Sequence, residues 1–156
     1  MIINPNFPGG FVTFCDDIRH EVTGKMTLVG TYQSQINVMG SSPVVLAQLC
    51  ALIDFRFKAD SLPMSPKIFV FRSDEVEPIF SMEGHIPANE ETLFEDISDI
   101  EGGSVRFHQM IVPVLLHGIA VTESFRLKVR AFVGDDEIRL GSLKVNLMQS
   151  EAEESS

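Results

Sequence analysis

The chain contains no tryptophan, one tyrosine and two cysteines in 156 residues. Its aromatic set is almost entirely phenylalanine, with twelve copies. That composition suits a packed interior better than a platform on which bases or sugars stack. Two cysteines do not form a disulfide framework. Cys15 and Cys50 both lie within apolar stretches, so we expect both to be reduced, buried core residues.

Positive charge is also scarce. Lysine and arginine number 12 against 22 aspartates and glutamates, and the formal net charge is −10. Because nucleic acids and anionic membranes attract basic proteins, we expect neither as a partner. No apolar run approaches the roughly 20 residues that span a bilayer. The N-terminal residues lack the basic segment of a secretory signal, and these features together predict a cytoplasmic protein.

Motifs for catalysis and cofactor binding are absent from the sequence. It has no G-x-S-x-G nucleophile elbow, no H-E-x-x-H or C-x-x-C pair, and no glycine-rich phosphate loop. The four histidines have no zinc-ligand spacing. We therefore expect a non-enzymatic protein without a cofactor.

What the sequence does contain is strand patterning. Apolar residues alternate with other residues over 49–57 and again over 125–133, which indicates two half-buried strands. Further strands are predicted at 11–16, 25–32, 67–72, 79–84, 105–112 and 138–147. Pro113 should end one of them, and a β-bulge at Gly141-Ser142 should absorb a change of parity in the last. The pattern predicts an all-β fold, a two-sheet antiparallel β-sandwich of the immunoglobulin or C2 type with about eight strands.

One segment departs from this pattern. Residues 88–100 carry an acidic first turn followed by helically spaced apolar residues, which predicts a short helical turn. No linker interrupts the chain, so residues 1–149 should form a single domain. Residues 150–156 should form an acidic disordered tail.

A dense group of ionisable side chains follows the first strand. We call Asp16, Asp17, Arg19 and Glu21 the acidic cluster. One interpretation is a calcium-like cation site in which the three carboxylates supply hard oxygen ligands at a sandwich end. The alternative is structural, with Arg19 neutralising the acids and joining a carboxylate to nearby backbone oxygens. The structural interpretation is favoured, because an arginine among the ligands would compete with a metal ion.

Charge is distributed unevenly along the chain. Ten acidic residues and no lysine or arginine lie between Arg72 and Arg106. The last predicted hairpin instead carries Arg126, Lys128 and Arg130 on one strand face, with Arg139 or Lys144 beside them. This face is the second candidate binding site. Its partner would be an acidic protein surface, which includes the acidic segment of a second copy in a homodimer.

The stretch FCDDIRHEVTGKMTLVGTY, followed by SPVVLAQLCALIDF and IRLGSLKVNL, resembles a family of small uncharacterised bacterial proteins. That family opens on a strand of the form FCDDIRxExxGKxSLxGxY and closes on GSLxV. The similarity covers most of the chain from Phe11 to Leu147. It implies a bacterial β-sandwich, a domain of unknown function, and implies no activity and no catalytic residue. The acidic segment at 88–101 and the N-terminal lead-in depart from the family pattern.

Overall fold

The computed structural model describes residues 8–88, 93–97 and 104–149. These residues form ten strands and one short 3-10 turn at Ala59–Ser61. The strands are β1 (Gly9–His20), β2 (Met26–Tyr32), β3 (Gln35–Met39), β4 (Val44–Lys58), β5 (Lys67–Arg72), β6 (Phe80–Glu83), β7 (Leu93–Ile97), β8 (Ser104–Val121), β9 (Phe125–Val133) and β10 (Asp136–Met148). In the part of the chain that the structure describes, no helix is long and apolar enough to cross a membrane.

The strands form two five-stranded sheets, which confirms the predicted all-β two-sheet sandwich. The first sheet has the order β2-β1-β4-β8-β7, and the second has the order β3-β10-β9-β5-β6. All neighbouring strands are antiparallel except β3 and β10, which run parallel. Strand β3 is absent from the sequence prediction.

The core lies between the sheets and is built on the alternation of β4 and β9. On β4 the side chains buried in this core are Leu49, Ala51, Ile53, Phe55 and Phe57. On β9 they are Phe125, Leu127, Val129 and Ala131. Every second residue of a strand faces the same side, so these two patterns place one apolar face of each sheet against the other.

Strand β1 extends beyond its predicted end at Asp16. It stays paired with β2 as far as His20, which lies opposite Met26. The chain then reverses at Gly24, whose φ of 82° suits the hairpin predicted there. The acidic cluster therefore lies mostly inside a strand rather than in a turn, because the cross-strand ladder holds its backbone extended.

Pro113 does not end β8, contrary to the prediction. It pairs with Leu52 of β4, while β7 pairs only with residues 104–108 of β8. On its other side, at the level of Pro113, β8 has no neighbouring strand among the described residues. A proline is tolerated where its missing N–H faces an unpaired side of a strand.

The predicted β-bulge in β10 is present, one residue earlier than expected. Arg139 lies opposite Arg130 and Gly141 opposite Val129, so Leu140 is the additional residue. Leu140 and Leu143 are both buried despite their odd spacing. The bulge thus keeps the apolar side chains of both halves of β10 in the core.

The helical turn predicted within residues 88–100 is wrong for Leu93–Ile97, which form β7 against β8. The backbone ladder with β8 outweighs the local helical pattern there. Residues 89–92 and 98–100, and the predicted tail at 150–156, lie outside the described residues.

Candidate functional site

The acidic cluster is spread over separate contacts. The Tyr32 hydroxyl donates a hydrogen bond to Oδ1 of Asp16. Asp17 accepts a hydrogen bond of 3.3 Å from the Gln48 amide. The Glu21 carboxylate accepts one of 2.8 Å from the Thr27 hydroxyl. Each carboxylate thus has its own neighbour from a different position in the sheet.

This arrangement does not suit a cation site. Asp16 and Asp17 are consecutive on an extended strand, so they do not converge as ligands do. Among the described residues, no group of three histidine, cysteine, aspartate or glutamate side chains is placed to hold a metal ion. His20 lies three residues beyond Asp17 on the same extended strand, roughly 10 Å away along it, so its ring is not placed beside the Asp17 carboxylate.

Arg19 forms an ion pair with Asp17, but at the surface. Its Nε lies 3.5 Å from Oδ2 of Asp17, and its side chain is 66% exposed. The expected ion pair between Arg19 and an acid is therefore present, but its exposure means that it stabilises the fold little.

We expect Arg19→Ala to lower the free energy of unfolding by less than about 0.5 kcal/mol, because exposed ion pairs are screened by water and salt. Urea denaturation followed by circular dichroism measures the loss. A loss above about 2 kcal/mol would restore a structural role for this arginine.

Cys15 and Cys50 are free, buried thiols that lie directly opposite each other on β1 and β4. With Ile18 they form a small apolar cluster separate from the main core. Burial, followed by the charge of the facing Cys50, raises the pKa of Cys15 to about 11. Burial also raises the pKa of Cys50. Raised thiol pKa values disfavour the reactive thiolate, which agrees with a packing role.

Tyr32 is the single tyrosine of the chain. Burial, and then its hydrogen bond to Asp16, raise the pKa of Tyr32 from 10.0 to about 12. A group whose pKa is raised by folding stabilises the fold while it is protonated. That contribution is complete below the unfolded pKa and is lost as the pH rises through the folded pKa.

Alkaline titration is therefore expected to show a tyrosinate absorbance midpoint near pH 12 rather than 10 while the protein stays folded. Stability should fall from about pH 9 upward as Cys15, Cys50 and Tyr32 become ionisable in the unfolded chain. Asp16→Asn should lower the Tyr32 midpoint, because it removes a charge and weakens the hydrogen-bond acceptor. A native midpoint near 10 would contradict the Tyr32–Asp16 contact.

The second candidate site lies on the outer face of the second sheet. Lys128 and Arg130 of β9 point away from the core, and cross-strand register places further cations beside them. Arg139 lies opposite Arg130, and Lys144 lies opposite Arg126. We call this surface the basic face. Its members are Lys67, Arg126, Lys128, Arg130, Arg139 and Lys144, together with Phe69, Phe71 and Phe132.

Three aromatic rings lie among these cations. Phe69 is opposite Arg130 and Phe71 is opposite Lys128. The Phe69 ring centroid is 5.8 Å from that of Phe71 and 5.5 Å from that of Phe132. The three rings are only half-buried, so they form an apolar patch on the outside of the sheet.

Some cations of the basic face are neutralised locally. Lys128 Nζ lies 3.0 Å from Oδ1 of Asp74. Arg130 Nε lies 3.2 Å from Oε1 of Glu137, and the Arg130 side chain is only 15% exposed.

The other cations have no such partner in the part of the chain that the structure describes. Arg126 donates a hydrogen bond to the Ser142 hydroxyl, at 3.1 Å. Within the described ranges, Arg126, Arg139 and Lys144 form no ion pair with a carboxylate. Their charges remain available to a partner.

Arg126, Lys128 and Arg130 were predicted from the sequence, but the aromatic patch was not. A signal for the patch was present in β5, where Lys67, Phe69 and Phe71 alternate with the buried Ile68 and Val70. The residues of Asp16 to Glu21 and the basic face lie on different sheets, so the structure does not combine the two candidate sites.

Comparison with known proteins does not assign this chain to a family. No protein-family model matches the chain, and no curated protein matches it. The resemblance to the uncharacterised bacterial family stays a prediction.

Proposed function

We propose that this protein is a non-enzymatic interaction module whose basic face binds an acidic polypeptide surface. One observation carries the proposal: the basic face holds six of the chain's 12 lysines and arginines, around three clustered phenylalanines, in a protein of net charge −10. Interface centres are enriched in arginine and aromatic residues, and this face combines both.

The charge distribution supports an acidic partner. A net negative protein repels an acidic surface at long range, but salt screens charges beyond about 8–10 Å. At contact distance, the charges nearest the partner determine whether the two surfaces attract or repel each other. There Arg126, Arg139 and Lys144, which form no ion pair with a described carboxylate, offer charge that favours the correct orientation of the partner.

The aromatic patch supplies the apolar part of such an interface. Phe69 lies next to Arg130, so a partner that covers the rings also removes water from around the guanidinium. Ion pairs strengthen when water is excluded. We therefore expect a partner segment that alternates acidic and large apolar residues.

Two further features belong to the proposal. The free thiols of Cys15 and Cys50 fit a reducing compartment such as the cytoplasm. A second copy of the chain is one acceptable partner, because Glu75 and Glu77 lie exposed in the β5–β6 connection.

The test uses a triple variant, Arg126→Gln with Arg139→Gln and Lys144→Gln. Its matched control is Arg19→Gln with Lys25→Gln and Lys58→Gln, which removes three exposed cations elsewhere. The probe is a short synthetic peptide that alternates glutamate and leucine, measured by fluorescence anisotropy at low and high salt. We expect the triple variant to bind at least about tenfold more weakly than the wild type, since charge-assisted contacts carry much of the affinity.

The control variant should bind as the wild type does. Equal weakening in both variants would show that the effect comes from the net charge of the protein and would overturn the proposal. If the protein bound a single-stranded oligonucleotide in preference to the peptide, the partner would be a nucleic acid and not an acidic protein. Sedimentation of the protein alone, at the same two salt concentrations, shows whether a second copy is the partner.

A further inference from the structure

A cleft of about 310 Å³ opens at the side of the sandwich, away from the basic face. Its walls come from both sheets: Arg72 at the end of β5, Ile79 and Phe80 at the start of β6, and residues 115–120 of β8. Among the described residues, β7 pairs only with residues 104–108 of β8, which leaves residues 115–120 at an open edge of the first sheet. Its size lies at the lower end of ordinary ligand pockets, about 300–1,000 Å³, so it suits a small ligand.

Two ionisable side chains, Arg72 and His117, line this cleft. Two contacts hold the Arg72 guanidinium in place. One nitrogen donates a hydrogen bond of 2.6 Å to the carbonyl oxygen of Ala120. The guanidinium carbon lies 3.9 Å from the ring centroid of Phe125, a cation–π distance. An arginine held in this way loses little further side-chain freedom when it binds a ligand.

The charge of Arg72 has no counter-ion within the described ranges, where no carboxylate forms an ion pair with it. A guanidinium has five N–H donors, and the Ala120 bond uses one of them. Stacking on Phe125 covers one face of the group and leaves the in-plane donors. Planar, paired donors of this kind match a carboxylate in a two-bond arrangement.

The remaining lining of the cleft combines apolar side chains with His117 and other polar surface. Ile79 is 41% exposed and Leu115 is 48% exposed, values that are high for large aliphatic side chains. Phe80, which is half-buried, and Ile119, which is buried, lie deeper in the cleft. A ligand with an apolar chain would cover this surface while its charged end meets Arg72.

We propose that this cleft is a binding site for a small amphipathic monocarboxylate, with Arg72 as its ion-pair partner and Ile79, Phe80 and Ile119 around its apolar chain. The proposal is independent of the basic face, which lies on the outer surface of the second sheet. The ligand class follows from a fixed guanidinium that lies beside exposed and half-buried apolar side chains.

The experiment titrates the isotope-labelled protein with hexanoate and, separately, with 1-hexanol, and follows backbone amides and the Arg72 Nε–H by NMR. Hexanoate should shift the amides of residues 116–120 and the Arg72 signal. Arg72→Met should weaken hexanoate binding at least about tenfold, because hydrogen bonds to charged groups are worth a decade or more of affinity. Arg72→Lys should recover part of the loss. Lys25→Met, at an exposed position between β1 and β2, should leave hexanoate binding unchanged.

A second variant separates loss of binding from loss of folding. Ile79→Asp places a carboxylate at the exposed rim of the cleft, where it competes with the ligand for Arg72 without opening the core. It should also abolish hexanoate binding while the spectrum stays that of a folded protein. Three outcomes would each overturn the proposal. They are equal binding of hexanoate and 1-hexanol, hexanoate binding that survives in both Arg72→Met and Ile79→Asp, and shifts scattered over the whole surface.

Discussion

Replacing Gly141 by alanine is expected to lower the free energy of unfolding by about 2–4 kcal/mol. Gly141 follows the additional residue of the β10 bulge and has a φ of 151°, a backbone conformation that L-residues rarely adopt. A Cβ atom at this position would lie 2.7 Å from Cγ1 of Val12 on the opposing sheet. The cost therefore combines backbone strain with a steric conflict between β10 and β1.

The two contributions are separable by experiment. Gly134 is the matched control, because its φ is 60° and a Cβ there would meet nothing within 4 Å. Gly134→Ala should cost only the strain, about 1–2 kcal/mol. Adding Val12→Ala to Gly141→Ala should relieve the steric part, which a double-mutant cycle in urea measures as a favourable coupling. Equal losses for the two single glycine variants would show that the sheets do not meet closely at Gly141.

The bulge shows which parts of the fold can be predicted from the sequence. The parity change between Leu140 and Leu143 lies within one strand, so a local pattern reveals the bulge to within one residue. The same holds for the core alternation of β4 and β9, which the structure confirms. Local period-two patterns carry this information directly.

The remaining strands depend on partners that are distant in the sequence. β3 is parallel to β10, more than one hundred positions along the chain, and Asn37 lies opposite Asn146. The residues at 93–97 have a helical pattern but join β8 as a strand. A single-sequence pattern does not contain sheet order, and tertiary pairing overrides propensity in both places.

The same distinction applies to the candidate sites. Lys128 and Arg130 are visible in the sequence because they alternate along one strand. Phe69 joins them only through the β5–β9 register, and composition alone assigned phenylalanine to the core. Asp16 and Asp17 were grouped because they are adjacent in the sequence, yet adjacent residues of a strand face opposite ways.

The largest loss of stability is expected for Phe55→Ala, about 3–5 kcal/mol. The Phe55 side chain is fully buried in β4, and its ring centroid lies 5.6 Å from that of Phe57. Removing the ring forfeits its burial and leaves a cavity between the two sheets, which a close-packed core fills only partly. Domains of this kind are typically stable by about 5–15 kcal/mol, so the variant should unfold at a much lower urea concentration or fail to fold.

Phe11 and Phe69 provide matched phenylalanine controls for this prediction. Phe11 is 54% exposed on β1, and Phe69 is half-buried on the basic face. Phe11→Ala should cost less than about 0.5 kcal/mol in urea denaturation. Phe69→Ala should cost an intermediate amount but weaken binding of the glutamate–leucine peptide, because its ring belongs to the proposed interface. The order Phe55, Phe69, Phe11 in lost stability follows the order of burial. If Phe69→Ala matched Phe55→Ala in lost stability and left peptide binding intact, the aromatic patch would be a second core rather than a contact surface.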